Sequence, residues 1–408
     1  MPLDRLGPAL DRAVEELEEE GRAKGAERVV VDVFPPTEER GSRVLLEGEG
    51  ERPFIRMNSN AYLGLPLREE VMEAEERGSR KYGVGPGAVR FISGTYGPHR
   101  DLENELARFH GREAGMIFSS AYAAVMGVLT PLLDRETVVV SDELNHNCII
   151  NAIRLSRPAG KEIYGHLDLE GLESALVKWK GKARRAVVVT DGIFSMRGSH
   201  APLDEIVSLA RDHDDGYPEN VVVVVDDSHG VGAFGETGRG VEEYTGSGPA
   251  DLLVATLGKA LGVNGGYLVS TDPVVTYLRE TAPFYIYSNP ITAGEAEAAR
   301  AALDLLDRDE GRGLLARLRR LTARFQDGLE EAGFETVPGE HPVVPLMVRE
   351  TERTRAMARH LFEHGVLATG LTYPVVPKGD ESIRFQVAAD HTDADLDQVL
   401  EILREFQP

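Results

Sequence analysis

The chain has 408 residues, of which 42% are hydrophobic and 28% are charged, and its formal net charge is −23. This length and composition allow a large buried core and predict two or three domains. The negative charge argues against DNA or RNA as a partner, because both would be repelled.

The single cysteine, Cys148, excludes a disulfide framework and a cysteine-based metal site. No apolar run approaches the ~20 residues of a membrane span, and the first residues show no secretory signal pattern. We therefore expect a cytoplasmic protein that has no membrane partner and holds no metal.

Three regions are predicted along the chain: an N-terminal arm of residues 1–57, a large domain of residues 58–290 and a small domain of residues 291–408. The arm opens with a charged amphipathic helix at residues 5–24 and continues with short β-type runs.

In the large domain, β-type runs alternate with helical ones. The predicted strands are Met116–Ser119, Thr137–Ser141, Ala186–Thr190, Val221–Asp226, Leu252–Thr256 and Gly266–Ser270. The predicted helices between them lie at 99–112, 145–156, 169–181 and 202–213. This alternation predicts an α/β fold with a mostly parallel, doubly wound sheet, in which ligands bind at the carboxyl ends of the strands.

The small domain is predicted to be α/β as well. Helices are expected at 293–307 and 313–332, and strands at Val343–Val348, Val366–Thr369 and Ser382–Phe385. A capping box at Thr392 is expected to open the last helix.

A lysine follows the predicted strand Leu252–Thr256, in the sequence Thr256-Leu257-Gly258-Lys259. Small residues surround it, including Gly262 and Gly265. Burying an ammonium group is costly, and the same cost makes the amine a nucleophile, as a Schiff base to a carbonyl cofactor requires. The alternative is a surface lysine on a glycine-rich turn.

Two acids, Asp226 and Asp227, follow a run of five valines that predicts a buried strand. A buried carboxylate there would stabilise a protonated ring nitrogen, whereas the alternative is an acid that caps the next turn. The residues at 230–235 match GxGxxG, a pattern typical of dinucleotide-binding sites, and this gives a second interpretation of the region. That fingerprint should open a helix in a first βαβ unit, and the helix-poor residues that follow argue against NAD.

Further positions are candidates for binding. Ser195 follows a predicted strand and offers a hydroxyl to a cofactor oxygen, unless it belongs to an ordinary loop. The strand-to-helix junction at Ala121 and Tyr122 offers backbone N–H groups to a phosphate. His146 opens a helix. Its ring either stacks on a ligand or belongs to a structural histidine whose hydrogen bonds are satisfied within the protein. Arg384, between apolar residues of a predicted strand, would pair with a substrate carboxylate or with an acid of the protein.

In their order and spacing, the motifs resemble the α-oxoamine synthase family of fold-type I pyridoxal-phosphate enzymes. The resemblance runs from about Asn58 to His391. The motifs that carry it are Asn60-Ala61-Tyr62-Leu63-Gly64, Gly94-Thr95 with His99, Ser141-Asp142 with Asn145-His146, Thr190–Met196, Asp226–His229 and Thr256–Lys259.

The resemblance implies pyridoxal 5'-phosphate as the cofactor, with Lys259 forming the internal aldimine. Asp226 would pair with the pyridinium nitrogen, and His146 would stack on the ring. His229 and Ser195 would lie near the ring 3-oxygen.

The resemblance also implies how the phosphate and the substrate are held. The amides of Ala121 and Tyr122, with Thr256, would bind the phosphate. Ser288 would reach the phosphate of the neighbouring subunit, which implies a homodimer with shared active sites. Asn60 and Arg384 would bind the carboxylate of the amino acid.

The implied reaction joins glycine, or another small amino acid, to an acyl-CoA, with acetyl-CoA expected, and gives an α-amino-β-keto acid or an aminoketone. Residues 373–379 and 89–92 look most like the glycine C-acetyltransferase branch, that of 2-amino-3-ketobutyrate CoA ligase. Arg197, Tyr96-Gly97-Pro98 and Ala123-Ala124-Val125 depart from that pattern and leave the acyl donor open.

Three other branches remain as alternatives: 8-amino-7-oxononanoate synthase, serine palmitoyltransferase and 5-aminolevulinate synthase. Outside the family, the alternatives are another fold-type I enzyme, such as an aminotransferase, and a non-catalytic dimeric scaffold.

Overall fold

A computed structural model describes residues 3–407. Its strands are β1 (Val30–Phe34), β2 (Arg43–Leu46), β3 (Phe54–Arg56), β4 (Ala114–Phe118), β5 (Thr137–Asp142), β6 (Gly160–Tyr164), β7 (Arg185–Asp191), β8 (Val221–Asp226), β9 (Leu252–Thr256), β10 (Gly266–Ser270), β11 (Glu335–Thr336), β12 (Val343–Met347), β13 (Val366–Leu367), β14 (Thr369–Leu371) and β15 (Ser382–Gln386).

Its α-helices are α1 (Leu6–Glu19), α2 (Glu69–Tyr82), α3 (Gly97–Phe109), α4 (Ala121–Leu132), α5 (Asn147–Leu155), α6 (Leu169–Trp179), α7 (Leu203–His213), α8 (Val241–Thr245), α9 (Asp272–Thr281), α10 (Pro283–Ile286), α11 (Ala293–Asp307), α12 (Asp309–Glu331), α13 (Thr351–Glu363) and α14 (Asp393–Glu405). No helix within residues 3–407 is both long enough and apolar enough to cross a membrane.

Contacts group the chain into two compact units. One unit is Asn60–Arg319, and the other joins the residues up to Ser59 with those from Arg320 onward. Contact density alone does not fix domain boundaries, so the division after residues 57 and 290 stays a prediction.

The unit Asn60–Arg319 is built on a seven-stranded sheet in the order β4-β10-β9-β8-β7-β5-β6. The five strands from β9 to β6 are parallel, and β10 runs antiparallel to both β9 and β4. The mostly parallel α/β sheet predicted from the sequence is confirmed. Its central strands are rich in buried valine, which suits strands covered by helices on both faces.

Helix α4 is anchored at the centre of this unit. It is apolar along most of its length and packs with α5 against β4, β9 and β10, in a core that includes Met116, Leu129 and Val254. Gly266 lets the start of the helix approach the sheet, because a Cβ there would lie 2.3 Å from the backbone nitrogen of Ala121. The helix N-terminus is therefore fixed beside the carboxyl end of β9.

The other unit contains two four-stranded sheets, β1-β2-β3-β13 and β11-β12-β15-β14. The sequence did not predict that β3 would pair in parallel with β13. The capping box that opens α14 is confirmed, since Thr392 and Asp395 each accept a backbone N–H from the other. Asp395 also pairs with Arg43 in a buried ion pair.

Several elements differ from the sequence-based expectation. The single strand predicted at Val366–Thr369 is two strands of different sheets, β13 and β14, which are separated by one residue. The predicted helix at residues 5–24 ends at Glu19, because the chain turns at Gly21, where φ is +68°. Strand β6 was not predicted, because it is a half-exposed edge strand with charged Lys161 and Glu162 in place of an apolar run.

Candidate active site

The carboxyl ends of β7, β8 and β9 and the start of α4 meet around a cavity of about 250 Å³. Eight of the predicted site residues line it: Ala121, Tyr122, His146, Ser195, Asp226, His229, Thr256 and Lys259. Four residues that were not predicted as site residues line it as well: Cys148, Asp191, Ile193 and Ser228.

Lys259 lies in a tight turn after β9. The turn is closed by backbone bonds from Leu257 N to the oxygen of Gly265 at 3.0 Å and from Gly262 N to the oxygen of Lys259 at 3.0 Å. At Gly262, φ is +73° and a Cβ would lie 2.5 Å from Pro66, so a side chain does not fit. Lys259 is half-buried and faces the cavity, which contradicts the alternative of a surface lysine.

Asp226 ends β8 and is held by the residue two positions further on. Its Oδ1 accepts hydrogen bonds from the Ser228 backbone N at 3.1 Å and from the Ser228 Oγ at 2.6 Å. The thiol of Cys148 lies 3.7 Å from Oδ2. Asp226 is therefore oriented by the strand end, with Oδ2 the less occupied of its two oxygens.

His229 is linked to the beginning of the unit by a buried tyrosine. The hydroxyl of Tyr62, which is fully buried, is hydrogen-bonded to Nδ1 of His229 at 2.8 Å. The same hydroxyl donates to Oδ1 of Asn60 at 3.3 Å. Asn60 is thus connected to the cavity through Tyr62, although it does not line the cavity itself.

His146 precedes α5 and is fixed by its backbone as well as its ring. Its N–H donates to Oδ2 of Asp191 at 3.1 Å, and its Nδ1 accepts the Cys148 N–H at 3.3 Å. Burial lowers the pKa of His146, and Lys259 lowers it further against the opposite effect of Asp226. The ring is therefore neutral near pH 7 and suits stacking on a ligand.

The start of α4 has the geometry of an anion site. Ser120 caps the helix by accepting the Ala123 N–H at 3.1 Å, which leaves the earlier N–H groups of the first turn for a ligand. Thr256 Oγ accepts the Gly258 N–H at 3.0 Å and donates to the oxygen of Gly265 at 3.2 Å. Its single proton must turn away from Gly265 to reach a phosphate.

One glycine of the GxGxxG stretch, Gly230, packs against Asp227, as do Gly192 and Gly240 outside the stretch. This acid is fully buried and accepts the Val241 N–H at 2.7 Å. A Cβ at Gly192, Gly230 or Gly240 would lie 2.4, 2.0 or 1.8 Å from its carboxylate oxygens. The next helix after the motif, α8, begins only at Val241, so the stretch lacks the helix start that a dinucleotide fingerprint needs.

Two further predicted site residues, Ser288 and Arg384, are not among those that line the cavity. Ser288 is half-buried and its Oγ donates to the backbone oxygen of Asn289 at 3.4 Å. Arg384 is a half-buried residue of β15, in the other unit, where it pairs in register with Pro345 and Thr369.

Comparison with known proteins agrees with the site. A model of the aminotransferase class I and II family matches residues 52–403. The 8-amino-7-oxononanoate synthase of Geobacter sulfurreducens is 41% identical over 362 residues, which cover 88% of this chain and 90% of that protein. The mitochondrial 2-amino-3-ketobutyrate coenzyme A ligase of Bos taurus is 37% identical over 405 residues, which cover 99% of this chain and 92% of that protein.

A serine palmitoyltransferase structure from Sphingomonas wittichii matches with a TM-score of 0.87 and 25% identity, over 98% of this chain and 97% of that one. A structure described as SPT with its PLP internal aldimine also matches with a TM-score of 0.87 and 25% identity, over 99% of this chain and 96% of that one. The chain belongs to the α-oxoamine synthase family.

The residues of the cavity fit pyridoxal phosphate, the cofactor of this family. An amine (Lys259), a carboxylate oriented by its own strand end (Asp226) and a neutral ring (His146) match a carbonyl, a ring nitrogen and an aromatic face. The helix start at Ala121 matches the phosphate. These donor types occur together in this cavity, as an α-oxoamine synthase requires.

Sequence reasoning missed Tyr62 and Asp191 as site residues. Tyr62 stood in a quoted motif, but nothing local indicated a bond to a histidine 167 positions later. Asp191 carried a readable signal. Like Asp226, it ends a valine-rich strand, and in parallel neighbours such acids meet at one sheet edge.

Proposed function

We propose that this α-oxoamine synthase condenses a small amino acid, glycine foremost, with an acyl-CoA, acetyl-CoA foremost, and releases CoA. The convergence of Lys259, Asp226 and His229 on one cavity carries the proposal. The similarity of the chain to a 2-amino-3-ketobutyrate coenzyme A ligase, over 99% of this chain, supports the choice of substrates.

Lys259 is the proposed catalytic base. When bound, pyridoxal phosphate supplies an electron sink for charge that develops on the Cα of the amino acid. Lys259 would hold the cofactor at rest, and its amine would take up the Cα proton during the reaction. The half-buried setting in a rigid turn holds its amine at the cavity.

The neighbouring side chains hold the cofactor in its reactive state. Asp226 keeps a proton on the ring nitrogen, since a buried carboxylate stabilises an adjacent cation. His229, oriented by Tyr62, and Ser195 bond to the ring 3-oxygen. His146 covers the ring face and excludes water.

The phosphate and substrate are held by groups from several elements. The backbone amides of Ala121 and Tyr122, with the hydroxyl of Thr256, bind the phosphate. Asn60 and Arg384 bind the carboxylate of the amino acid, for which the planar guanidinium of arginine is suited.

We further propose a homodimer in which Ser288 of each subunit completes the phosphate site of the other. Mixed dimers of Lys259→Ala and Ser288→Ala test this sharing, because one of their two sites is free of both substitutions. Recovery of activity on mixing supports shared sites, and two inactive parents that stay inactive as a verified mixed dimer argue against them.

A second candidate reaction is that of 8-amino-7-oxononanoate synthase, which the 41% identity to the Geobacter sulfurreducens protein favours. The name describes that product as a nonanoate, whose carboxylate lies at the far end from the amino ketone, so its acyl donor must carry a terminal carboxylate. We propose the cytoplasm as the compartment for either reaction, both of which use a soluble acyl thioester.

The deciding experiment measures thiol release by the cofactor-loaded protein with glycine, alanine or serine. The acyl donors run from acetyl-CoA to palmitoyl-CoA and include one that ends in a carboxylate. A preference for glycine and acetyl-CoA supports the first candidate, whereas alanine with the carboxylate-ended donor supports the second.

Three outcomes would reject the family chemistry for this chain. One is transamination without thiol release, which would indicate an aminotransferase. Another is turnover by Lys259→Ala. The proposal expects this variant to lose both the absorbance of the lysine-bound cofactor and the thiol release. A protein that takes up no pyridoxal phosphate would instead indicate a non-catalytic scaffold.

A further inference from the structure

Asp191 is a buried acid of the cavity for which the proposed reaction has no use. It ends β7, is 5% exposed and lines the cavity. Its Oδ2 accepts the His146 N–H at 3.1 Å. Its Oδ1 has no hydrogen-bond partner among residues 3–407. A buried carboxyl oxygen without a partner is costly, so a proton or a ligand is expected there.

Asp191 lies directly beside Asp226. The two residues are paired in the parallel ladder of β7 and β8, whose strands are about 4.8 Å apart, so their side chains leave the sheet on the same face. Ser228 occupies Oδ1 of Asp226 with two hydrogen bonds, whereas Oδ2 has only the Cys148 thiol at 3.7 Å. Each acid thus has one oxygen that lacks a strong partner.

The charges around Asp191 favour its neutral form. Burial raises the pKa of Asp191 well above its ordinary value, and the charges of Asp226 and Asp142 raise it further. Lys259 and the His146 N–H act in the opposite direction but do not outweigh them. Two carboxylates at this spacing in a buried site cannot both be ionised without a large penalty.

We propose that Asp191 is a positioning residue that stays a neutral acid, accepting the His146 N–H with Oδ2 and donating from Oδ1 to Oδ2 of Asp226. The two acids then hold one proton and one negative charge between them. The bond fixes the Asp226 carboxylate and, through His146, the start of α5. The inference rests on the proposed function only for the role of Asp226 toward the cofactor.

The protonation state is measured first on the cofactor-free protein, by infrared difference spectroscopy between wild type and Asp191→Asn at neutral pH. The C=O band of a protonated carboxyl, sensitive to D₂O, is expected in wild type and absent from the variant. Asp251→Asn is the control. Asp251 accepts the Val223 N–H at 2.7 Å near the opposite end of the sheet, so any band it contributes should persist in Asp191→Asn. A carboxylate band lost from Asp191→Asn instead would overturn the proposal.

Cofactor affinity provides the second readout. Asparagine preserves an acceptor for His146 and a donor for Asp226, so Asp191→Asn should keep the dissociation constant within about twofold of wild type. Asp191→Ala removes both bonds and should weaken binding about tenfold or more. If Asp191→Asn weakens binding as much as Asp191→Ala, a charge is needed at this position and the proposal fails. Turnover by Lys259→Ala would reject the proposed function separately, because the infrared measurement uses neither cofactor nor substrate.

Discussion

Replacing Tyr62 by phenylalanine tests whether the bond to His229 serves the site or only the fold. The chain offers a matched control. Tyr267 is fully buried, as Tyr62 is, and its hydroxyl is hydrogen-bonded to the Nε2 of His110 at 2.9 Å. Burial lowers the pKa of His110 to about 3, so this control pair is neutral. His110 lies outside the cavity.

Both substitutions remove one buried hydroxyl and leave the ring in place. A buried hydrogen bond between neutral groups contributes about 0.5–1.5 kcal/mol, and a buried partner that loses its bond can bring the cost to ~3 kcal/mol. We therefore expect Tyr62→Phe and Tyr267→Phe to lower the unfolding free energy of the cofactor-free protein by similar amounts, about 1–2 kcal/mol. Urea unfolding measures this quantity.

The two variants should differ once the cofactor is bound. His229 faces the cavity, so Tyr62→Phe should shift the absorbance of the bound cofactor and lower kcat/KM about tenfold, which corresponds to ~1.4 kcal/mol of transition-state stabilisation. Tyr267→Phe should change neither quantity. Equal effects of the two variants on absorbance and kcat/KM, or no effect of Tyr62→Phe on either, would refute a role of Tyr62 in orienting His229.

Two further pairs of variants test the fold around the site and in the other unit. Gly230→Ala should destabilise the protein by more than ~3 kcal/mol, because its Cβ would lie 2.0 Å from a buried carboxylate. Gly313→Ala, on α12 with open space around it, should stabilise the protein by about 0.5–1 kcal/mol. Thermal unfolding of the two variants measures both effects. Arg43→Met leaves Asp395 buried without its cation and should cost about 3–5 kcal/mol, whereas Arg320→Met, which breaks an exposed pair, should cost less than ~1 kcal/mol. Burial would raise the pKa of Asp395, but hydrogen bonds from Arg43 and from backbone N–H groups lower it overall. The stability that Asp395 contributes to the fold is thus present above the ordinary carboxyl pKa of about 3.9 and is lost as the pH falls further. An equally steep loss of stability in acid for Arg43→Met would contradict this.

Much of the fold could be predicted from the sequence because its signals are local. The strands β8, β9 and β10 were predicted with their observed bounds, since each is a short apolar run ended by polar or turn residues. The edge strand β6 was missed because it has no such run. The pairing of β3 with β13 could not be predicted, because it joins residues about 300 positions apart and no local sequence pattern indicates it.

The site residues also differ in whether a local sequence signal could predict them. Asp226 ends a strand and Lys259 and His146 each follow one, so the topology of a parallel sheet alone brings them to one edge. The bond between Tyr62 and His229 needed the structure, because it joins residues 167 positions apart. The role proposed for Ser288 depends on a second subunit.

The acids at this sheet edge differ in the number of hydrogen-bond donors that surround each of them. Asp142 accepts from Leu144 N at 2.8 Å, Leu167 N at 3.0 Å and the His166 ring at 3.2 Å. Asp226 accepts twice from Ser228, whereas Asp191 accepts one N–H. Because hydrogen bonds to a carboxylate favour its charged form, the small number of donors around Asp191 agrees with the neutral form proposed for it. Neighbouring strands thus place like residues side by side, and the loops that follow the strands give each residue a different set of hydrogen-bond donors.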